Sequence, residues 1–139
     1  IISVIDGAQQ VASSKIELSR WGIDFYIWGA HKLFSLPGLG IIYGRKNLLD
    51  ELEPPFAGGS STHNYNLDGT ITYKPAPFKF EYGTQNIPTI IATGKVCSWL
   101  NEIGMENVEK HLLSLQEYAI EQMSLLSEVE IYNKTITKL

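Results

Sequence analysis

The chain opens on IISVID, an apolar run that ends in the carboxylate of Asp6. Continuous apolar runs of this kind are typical of parallel strands covered on both faces, and such strands present functional groups at their carboxyl ends. We therefore predict a buried parallel strand with Asp6 at its functional end. A buried strand at the first residue needs neighbours, so we expect the 139 residues to be an internal piece of a longer chain.

Further strands are predicted along the chain. Residues 23–29, IDFYIWG, are rich in β-branched and aromatic side chains, and residues 39–44, LGIIYG, lie between glycines. A GAHK turn at residues 29–32 separates these two segments. The final segment IYNKTITKL, residues 131–139, also has the pattern of a strand. Together with the helices below, these strands predict an α/β fold.

Helical patterns fill much of the remaining chain. Short helices are predicted at residues 13–21 and 47–52, and longer ones at 87–103 and 106–126, the latter because apolar side chains recur on one face. Gly104 is a natural stop between the two long helices. Residues 54–66, PPFAGGSSTHNYN, are dense in Pro, Gly and Ser and predict a loop.

Composition argues against several classes of partner. The formal charge is −4, and no cluster of Lys or Arg favours a nucleic acid or an anionic membrane. The apolar runs are short and interrupted, so the sequence predicts neither a bilayer span nor an export signal. Cys97 is the single cysteine and has no CxxC partner, which favours a reducing cytoplasm. Its place in IATGKVCSWL predicts a buried structural thiol.

Three local signals could carry chemistry: Asp6 to Gln9, then His31-Lys32, then Gly83-Thr84 before a helix. Each has an ordinary structural explanation when taken alone. A carboxylate at a strand end is often a turn-former or a cap, and a lone lysine is usually a solvated charge. A Gly-Thr pair before a helix is also a common cap.

In combination the three signals meet the demands of pyridoxal phosphate. This cofactor needs a lysine amine for its aldehyde, a carboxylate for its pyridine nitrogen and donors for its phosphate. The apolar setting of FYIWGAHKLF is expected to desolvate Lys32 partly, which keeps its amine neutral more often. Asp6 at the end of a buried strand suits the carboxylate role.

The chain resembles the class V aminotransferase family over nearly its whole length, and within it the cysteine desulfurases of the sulfur-mobilisation (SUF) type. The resemblance implies the large domain of the fold type I pyridoxal-phosphate enzymes, a mainly parallel sheet flanked by helices, over residues 1–104. Residues 105–139 would begin the smaller C-terminal domain. The motifs that carry the resemblance are, in chain order, DGAQ, DFYIWGAHK, LGIIYG, PPFAGGSS, FKFEYGTQN and IGMENVEKH.

The resemblance also implies roles for individual residues. Lys32 would be the Schiff-base lysine, and Asp6 would pair with the pyridine nitrogen. Gln9 would donate to the phenolate oxygen of the ring, Ala8 would lie against a ring face, and His31 would be a donor on the phosphate side.

Two glycine-containing segments carry further implications of the resemblance. Gly83 and Thr84 would reach the phosphate of the partner subunit's cofactor, so that the site exists in a homodimer. Gly29 stands where the family has a serine, which removes one hydroxyl donor to the phosphate, and Ala30 replaces the adjacent glycine. The turn after the lysine, LFSLPGLG, also departs from the family pattern.

The function implied by the resemblance is desulfuration of L-cysteine to L-alanine with an enzyme persulfide, in iron-sulfur cluster assembly with a possible sulfur-acceptor protein. The persulfide cysteine and the carboxylate-binding arginine of the family fall beyond Leu139, so the 139 residues alone are expected to be inactive. Two alternatives stay open: another class V enzyme (an aminotransferase, a selenocysteine lyase or an epimerase), or a degenerate relative without activity. No metal site is predicted.

Overall fold

The computed structural model of the protein describes residues 1–132 and has a mixed α/β architecture, as the sequence predicts. The strands are β1 (Val4–Asp6), β2 (Phe25–Gly29), β3 (Gly40–Gly44), β4 (Thr62–Tyr65) and β5 (Ile71–Tyr73). The α-helices are α1 (Leu18–Trp21), α2 (Lys46–Glu51), α3 (Ile87–Ile103) and α4 (Met105–Ser124). None of the helices described is long and apolar enough to cross a membrane.

The first three strands form one sheet in the order β1-β2-β3. β1 runs parallel to β2, with Asp6 opposite Ile27, whereas β2 and β3 are antiparallel. The prediction that the first strand is buried is wrong for this chain, because β1 is an edge strand and Val4 is 61% exposed. The parallel pairing predicted for it is present.

The predicted helices are largely confirmed. Helices α2, α3 and α4 lie where the patterns place them, and the backbone N–H of Gly104 bonds the Leu100 carbonyl as α3 ends. The prediction for residues 13–21 is confirmed only for α1 at its end. The Ser13 hydroxyl donates to the Gln10 carbonyl at 3.0 Å, a local bond that competes with helix formation.

The predicted loop at residues 54–66 is wrong at its end, where β4 pairs with β5 in a hairpin. Asp68 and Gly69 form the connecting turn, in which the Asp68 carboxylate accepts from the Thr70 N–H at 2.9 Å and Gly69 has a φ of 84°. An Asp-Gly pair between two β-rich segments is a strong hairpin signal. The strand predicted at residues 131–139 lies almost wholly outside the described residues, and Ile131 and Tyr132 are not in a strand.

The core lies on the face of the sheet that Trp28 occupies, and α3 contributes side chains to it. Its buried members are Val11, Leu33 and Leu100, and Ala12, Trp28, Val96 and Met105 pack against them. These side chains come from the loop after β1, the end of β2 and the two long helices. The core therefore lies directly beneath the two segments that carry Asp6 and Lys32.

Cys97 is exposed, so the prediction of a buried thiol is wrong. It lines an apolar groove of about 840 Å³ together with Phe25, Ile27, Ile42 and Ile90. Side chains alternate between the two faces of a strand, so Ile27 faces this groove while its neighbour Trp28 faces the core. Helix α3 turns Cys97 toward the groove rather than toward the core.

Polar contacts of Asp24 fix the amino ends of β1 and β2. The carboxylate accepts from the Ser3 backbone N–H at 2.9 Å and from the Ser3 hydroxyl at 3.0 Å. Arg45, which follows β3, pairs with the same carboxylate at 3.3 Å. The bond from the Ser3 N–H is the main reason that the pKa of Asp24 lies below its usual value. One carboxylate thus joins all three strands.

Lys79 closes the carboxyl end of α2. Its Nζ donates to the Asp50 carbonyl at 3.0 Å and to the Leu52 carbonyl at 2.7 Å, and Lys79 is only 9% exposed. A helix end leaves carbonyls without intrahelical partners, and a cation there also interacts favourably with the helix dipole. This contact ties α2 to the segment that leads to Gly83.

We expect Lys79→Met to destabilise the protein by about 2 kcal/mol, because two carbonyls at the end of α2 lose a charged and largely buried donor. The measurement is urea unfolding followed by circular dichroism. Lys46→Met is the matched control, since Lys46 forms an exposed pair with Asp50 on the same helix and should cost less than about 0.5 kcal/mol. Equal losses in the two variants would contradict a specific role for Lys79.

Candidate cofactor site

Asp6 ends β1, and its surroundings leave the carboxylate accessible. The Ala8 N–H donates to its Oδ1 at 3.0 Å, and the next residue, Gly7, bonds the Ile27 carbonyl of β2 at 2.9 Å. Among residues 1–132, Oδ2 has neither a hydrogen bond nor an ion pair. Asp6 is exposed, contrary to the expectation of burial. One oxygen is thus held while the other is free to accept.

Ala8 and Gln9 lie in the turns that follow Asp6. The Gly7 carbonyl accepts from the N–H groups of both Gln10 and Val11 at 3.0 Å, which gives this loop a helical turn. Val11 is buried in the core and anchors the far end of the turn. Ala8 is half-buried and Gln9 is exposed. The loop therefore presents Asp6 and Gln9 to solvent from a fixed backbone.

His31 and Lys32 lie in a short 3-10 helix, Ala30–Leu33, that directly follows β2. Ala30 and Leu33 are buried and hold the turn against the core, whereas His31 and Lys32 are exposed. The expectation that Lys32 lies in an apolar setting is therefore wrong for this chain. Within the described residues, Lys32 Nζ makes no ion pair and no hydrogen bond to a carboxylate or carbonyl.

The parallel pairing of β1 and β2 brings these two segments to one edge of the sheet. Asp6 is the last residue of β1, and Lys32 comes three residues after Gly29, the last residue of β2. Carboxyl ends of adjacent parallel strands meet at the same edge, which is where ligands bind in open α/β sheets. A free carboxylate and a free amine consequently share one edge.

The turn after Lys32 is held to helix α3 by polar side chains. The Ser35 and Thr93 hydroxyls lie 2.8 Å apart, and the Thr89 hydroxyl donates to the Pro37 carbonyl at 3.4 Å. The Asn86 amide reaches the Gly38 carbonyl at 3.5 Å. Sequence reasoning missed these residues, because hydroxyls within a helical pattern do not show which carbonyl they will meet. They anchor the turn whose sequence departs from the family pattern.

Gly83 and Thr84 lie in a separate exposed segment before α3. Gly83 has a φ of 66°, which favours glycine, and its N–H donates to the Gly59 carbonyl at 2.6 Å. The cap of α3 is Asn86, whose side chain accepts from the Thr89 N–H, so Thr84 is not the cap. Among the described residues, no hydrogen bond joins this segment to Asp6 or Lys32.

Gly29 and His31 are in close contact. A Cβ added at Gly29 would lie 2.8 Å from Cε1 and 3.0 Å from Nδ1 of the His31 ring. A serine at this position would therefore require the ring to move, which an exposed side chain can do. A serine at position 29 and the present conformation of His31 therefore exclude each other.

Comparison with known proteins identifies the family to which the chain belongs. The family model described as aminotransferase class-V matches residues 1–138. The chain belongs to this family. Cysteine desulfurases of Yersinia pseudotuberculosis (strain IP 31758) and Yersinia pestis (strain Pestoides F) are each 31% identical over 135 residues, which cover 97% of this chain and 33% of theirs. The chain thus spans about a third of the length of these relatives.

Solved structures have the same fold. The cysteine desulfurase CsdA of Escherichia coli matches with a TM-score of 0.80 at 29% identity, over 90% of this chain and 31% of its own. The apo cysteine desulfurase of Thermococcus onnurineus NA1 matches with a TM-score of 0.82 at 26% identity, over 99% and 34%. These matches confirm the expected fold type I architecture.

The residues at the sheet edge fit pyridoxal 5'-phosphate, the cofactor that the resemblance implies. A solved structure of the C-DES mutant K223A has glycine covalently linked to this cofactor. It shares the fold with a TM-score of 0.83 at 22% identity, over 97% of this chain and 36% of its own. The cofactor needs a primary amine, an anionic acceptor and anion-binding donors. The free Nζ of Lys32, the free Oδ2 of Asp6 and the exposed His31 supply these three types of group.

We expect Thr93→Val to destabilise the protein by about 1 to 2 kcal/mol, because Thr93 bonds both Ser35 and the Thr89 carbonyl. A double-mutant cycle with Ser35→Ala, measured by thermal unfolding, should give a coupling energy of at least about 0.5 kcal/mol. Ser98→Ala is the control, since its exposed hydroxyl bonds only within α3. Additive losses would show that the turn is not held through this contact.

Proposed function

We propose that this chain is the cofactor-binding segment of a cysteine desulfurase of the sulfur-mobilisation type, which takes sulfur from L-cysteine and leaves L-alanine. The single observation that carries the proposal is the free amine of Lys32 and the free carboxylate oxygen of Asp6 at one sheet edge. The relatives named cysteine desulfurase support the choice of substrate.

Each residue at the edge has a defined task in this proposal. Lys32 Nζ would hold the cofactor through its aldehyde carbon, and Asp6 Oδ2 would accept a hydrogen bond from its pyridine nitrogen. Gln9 would donate to the phenolate oxygen, Ala8 would lie against the ring, and His31 would donate to the phosphate. When bound, the cofactor supplies an electron sink for negative charge at the substrate α-carbon.

Lys32 would have a second task in the reaction, as the base at the substrate α-carbon. Its Nζ would accept the proton from that carbon, which requires a neutral amine. The exposed position of Lys32 in this chain provides no desolvation by itself. Closure of the site by cofactor, substrate and further protein would keep the amine neutral. A cysteine thiolate of the full-length enzyme would then form an S–S bond with the substrate sulfur while the C–S bond of the substrate breaks, and its electron pair would remain on the carbon that becomes the methyl group of alanine.

The proposal extends to a homodimer in the cytoplasm that serves iron-sulfur cluster assembly and passes sulfur to an acceptor protein. Gly83 and Thr84 would donate to the phosphate of the partner subunit's cofactor. The bond from Gly83 to Gly59 and the exposure of Thr84 support a segment that is held in place and faces outward. Residues 1–104 would form part of the large domain, and residues 105–139 would begin the small one, with Gly104 between α3 and α4 as the boundary.

Lys32→Ala in the full-length protein should abolish the visible absorption band of the bound cofactor, together with sulfide release from L-cysteine. Borohydride should bleach the band of the wild type and fix the cofactor to Lys32, as peptide mass spectrometry can show. Lys46→Ala, on the exposed side of α2, is the matched lysine control and should retain both band and turnover. A wild-type protein without the band would refute the proposal, and a band with no sulfide release would favour another class V activity.

A further inference from the structure

We propose that Tyr26 is a positioning residue for the loop that carries Asp6, Ala8 and Gln9. Tyr26 lies in the middle of β2 and is 0% exposed, which makes it the largest fully buried side chain among the described residues. It faces the side of the sheet opposite to Ile27, the residue that pairs with Asp6. This inference rests on the proposed function, because the task of the loop is to hold the cofactor.

The ring of Tyr26 lies against the backbone of Gly7. A Cβ added at Gly7 would overlap with Cζ and the hydroxyl oxygen of Tyr26, so no side chain can be placed there. The glycine next to Asp6 is therefore required for the close approach of this ring. Gly7 and Tyr26 form a matched pair that sets the path of the backbone as it leaves β1.

The hydroxyl of Tyr26 lies between two acceptors of the loop. It is 3.4 Å from the Gly7 carbonyl and 3.4 Å from Oε1 of Gln10. The Gly7 carbonyl is also the acceptor that forms the turn leading to Val11. One phenol thus contacts the first residue of the loop and the side chain of Gln10, whose backbone N–H closes the turn.

Neighbouring groups hold the ring and keep its hydroxyl protonated. The Trp28 ring lies 5.7 Å from the Tyr26 ring, centroid to centroid, at an angle of 57°. Burial, and next the negative charge of Asp6, raise the pKa of the Tyr26 phenol above its usual value. Tyr26 therefore stays a neutral donor at physiological pH and adds no second negative charge beside Asp6.

The consequence for Asp6 follows from the loop geometry. Its carboxylate is oriented by the Ala8 N–H, and Ala8 follows the glycine on which the Tyr26 ring rests. Without the phenol hydroxyl, the turn from Gly7 to Gln10 has fewer restraints. The Asp6 carboxylate would then be less well placed to accept a hydrogen bond from the pyridine nitrogen. Tyr26 touches neither cofactor nor substrate in this scheme and acts through Asp6.

The test is Tyr26→Phe in the full-length holoenzyme, with Tyr43→Phe as the matched control. Tyr43 is the partner of Tyr26 in the β2–β3 register and is half-buried, but its hydroxyl contacts neither Gly7 nor Gln10. We expect Tyr26→Phe to bind pyridoxal phosphate about fivefold more weakly, the equivalent of one neutral hydrogen bond. Tyr43→Phe should match the wild type.

The pH titration of the visible cofactor band gives a readout that stability alone would not move. A protonated ring nitrogen disfavours a second positive charge on the Lys32 nitrogen, so a misplaced Asp6 raises the pKa that the band reports. Tyr26→Phe should therefore shift this pKa upward, and Asp6→Asn should shift it further in the same direction. The control Tyr43→Phe should leave it unchanged.

Unchanged affinity and band pKa in Tyr26→Phe would overturn the positioning role while leaving the proposed function intact. Equal shifts in Tyr26→Phe and Tyr43→Phe would overturn it as well. If Tyr26→Phe fails to fold, Gln10→Met decides, because it removes the second acceptor of the hydroxyl and keeps the volume. This variant should show a smaller shift in the same direction, and no shift would refute the role. A wild-type holoenzyme without any cofactor band would refute the proposed function itself.

Discussion

The parallel pairing of β1 with β2 is the interaction on which the rest of the site depends. Three register pairs, from Val4 with Phe25 to Asp6 with Ile27, bring the carboxyl ends of both strands to one edge. The bond from the Gly7 N–H to the Ile27 carbonyl continues the pairing past Asp6. A shift of the register by one residue would turn Asp6 to the other face of the sheet and separate it from the lysine turn.

Much of this arrangement could be predicted from local sequence. The apolar run that ends in Asp6 predicts strand β1, its direction and the end at which functional groups are expected. Gly40 and Gly44 in LGIIYG mark the two ends of β3. Helix α3 follows from Pro88 in its first turn and Gly104 at its end, which are local backbone effects. The candidate site at Asp6 and Lys32 stays a prediction, made from residue types that one cofactor requires in combination.

Exposure and long-range contacts could not be predicted in the same way. Burial of β1, Lys32 and Cys97 depends on what packs over them, which a local pattern does not contain. The β4–β5 hairpin was hidden in a Pro- and Gly-rich stretch, although Asp68-Gly69 is a readable turn signal. The contact of Tyr26 could not be predicted either. Alternation along FYIWG assigns Tyr26 to one face of the sheet but does not show that its ring lies against Gly7.

In the candidate site, exposed side chains lie next to buried residues that hold the backbone in place. Asp6 and Lys32 face solvent, whereas their neighbours Gly7, Ala30 and Leu33 are buried. The backbone of each loop is thus fixed before any ligand binds, so little loop-ordering entropy remains to be lost on binding. In the proposed holoenzyme, the cofactor would cover the exposed carboxylate and amine and displace their water. A fixed backbone that carries an accessible amine and carboxylate is compatible with the covalently held cofactor proposed for this site.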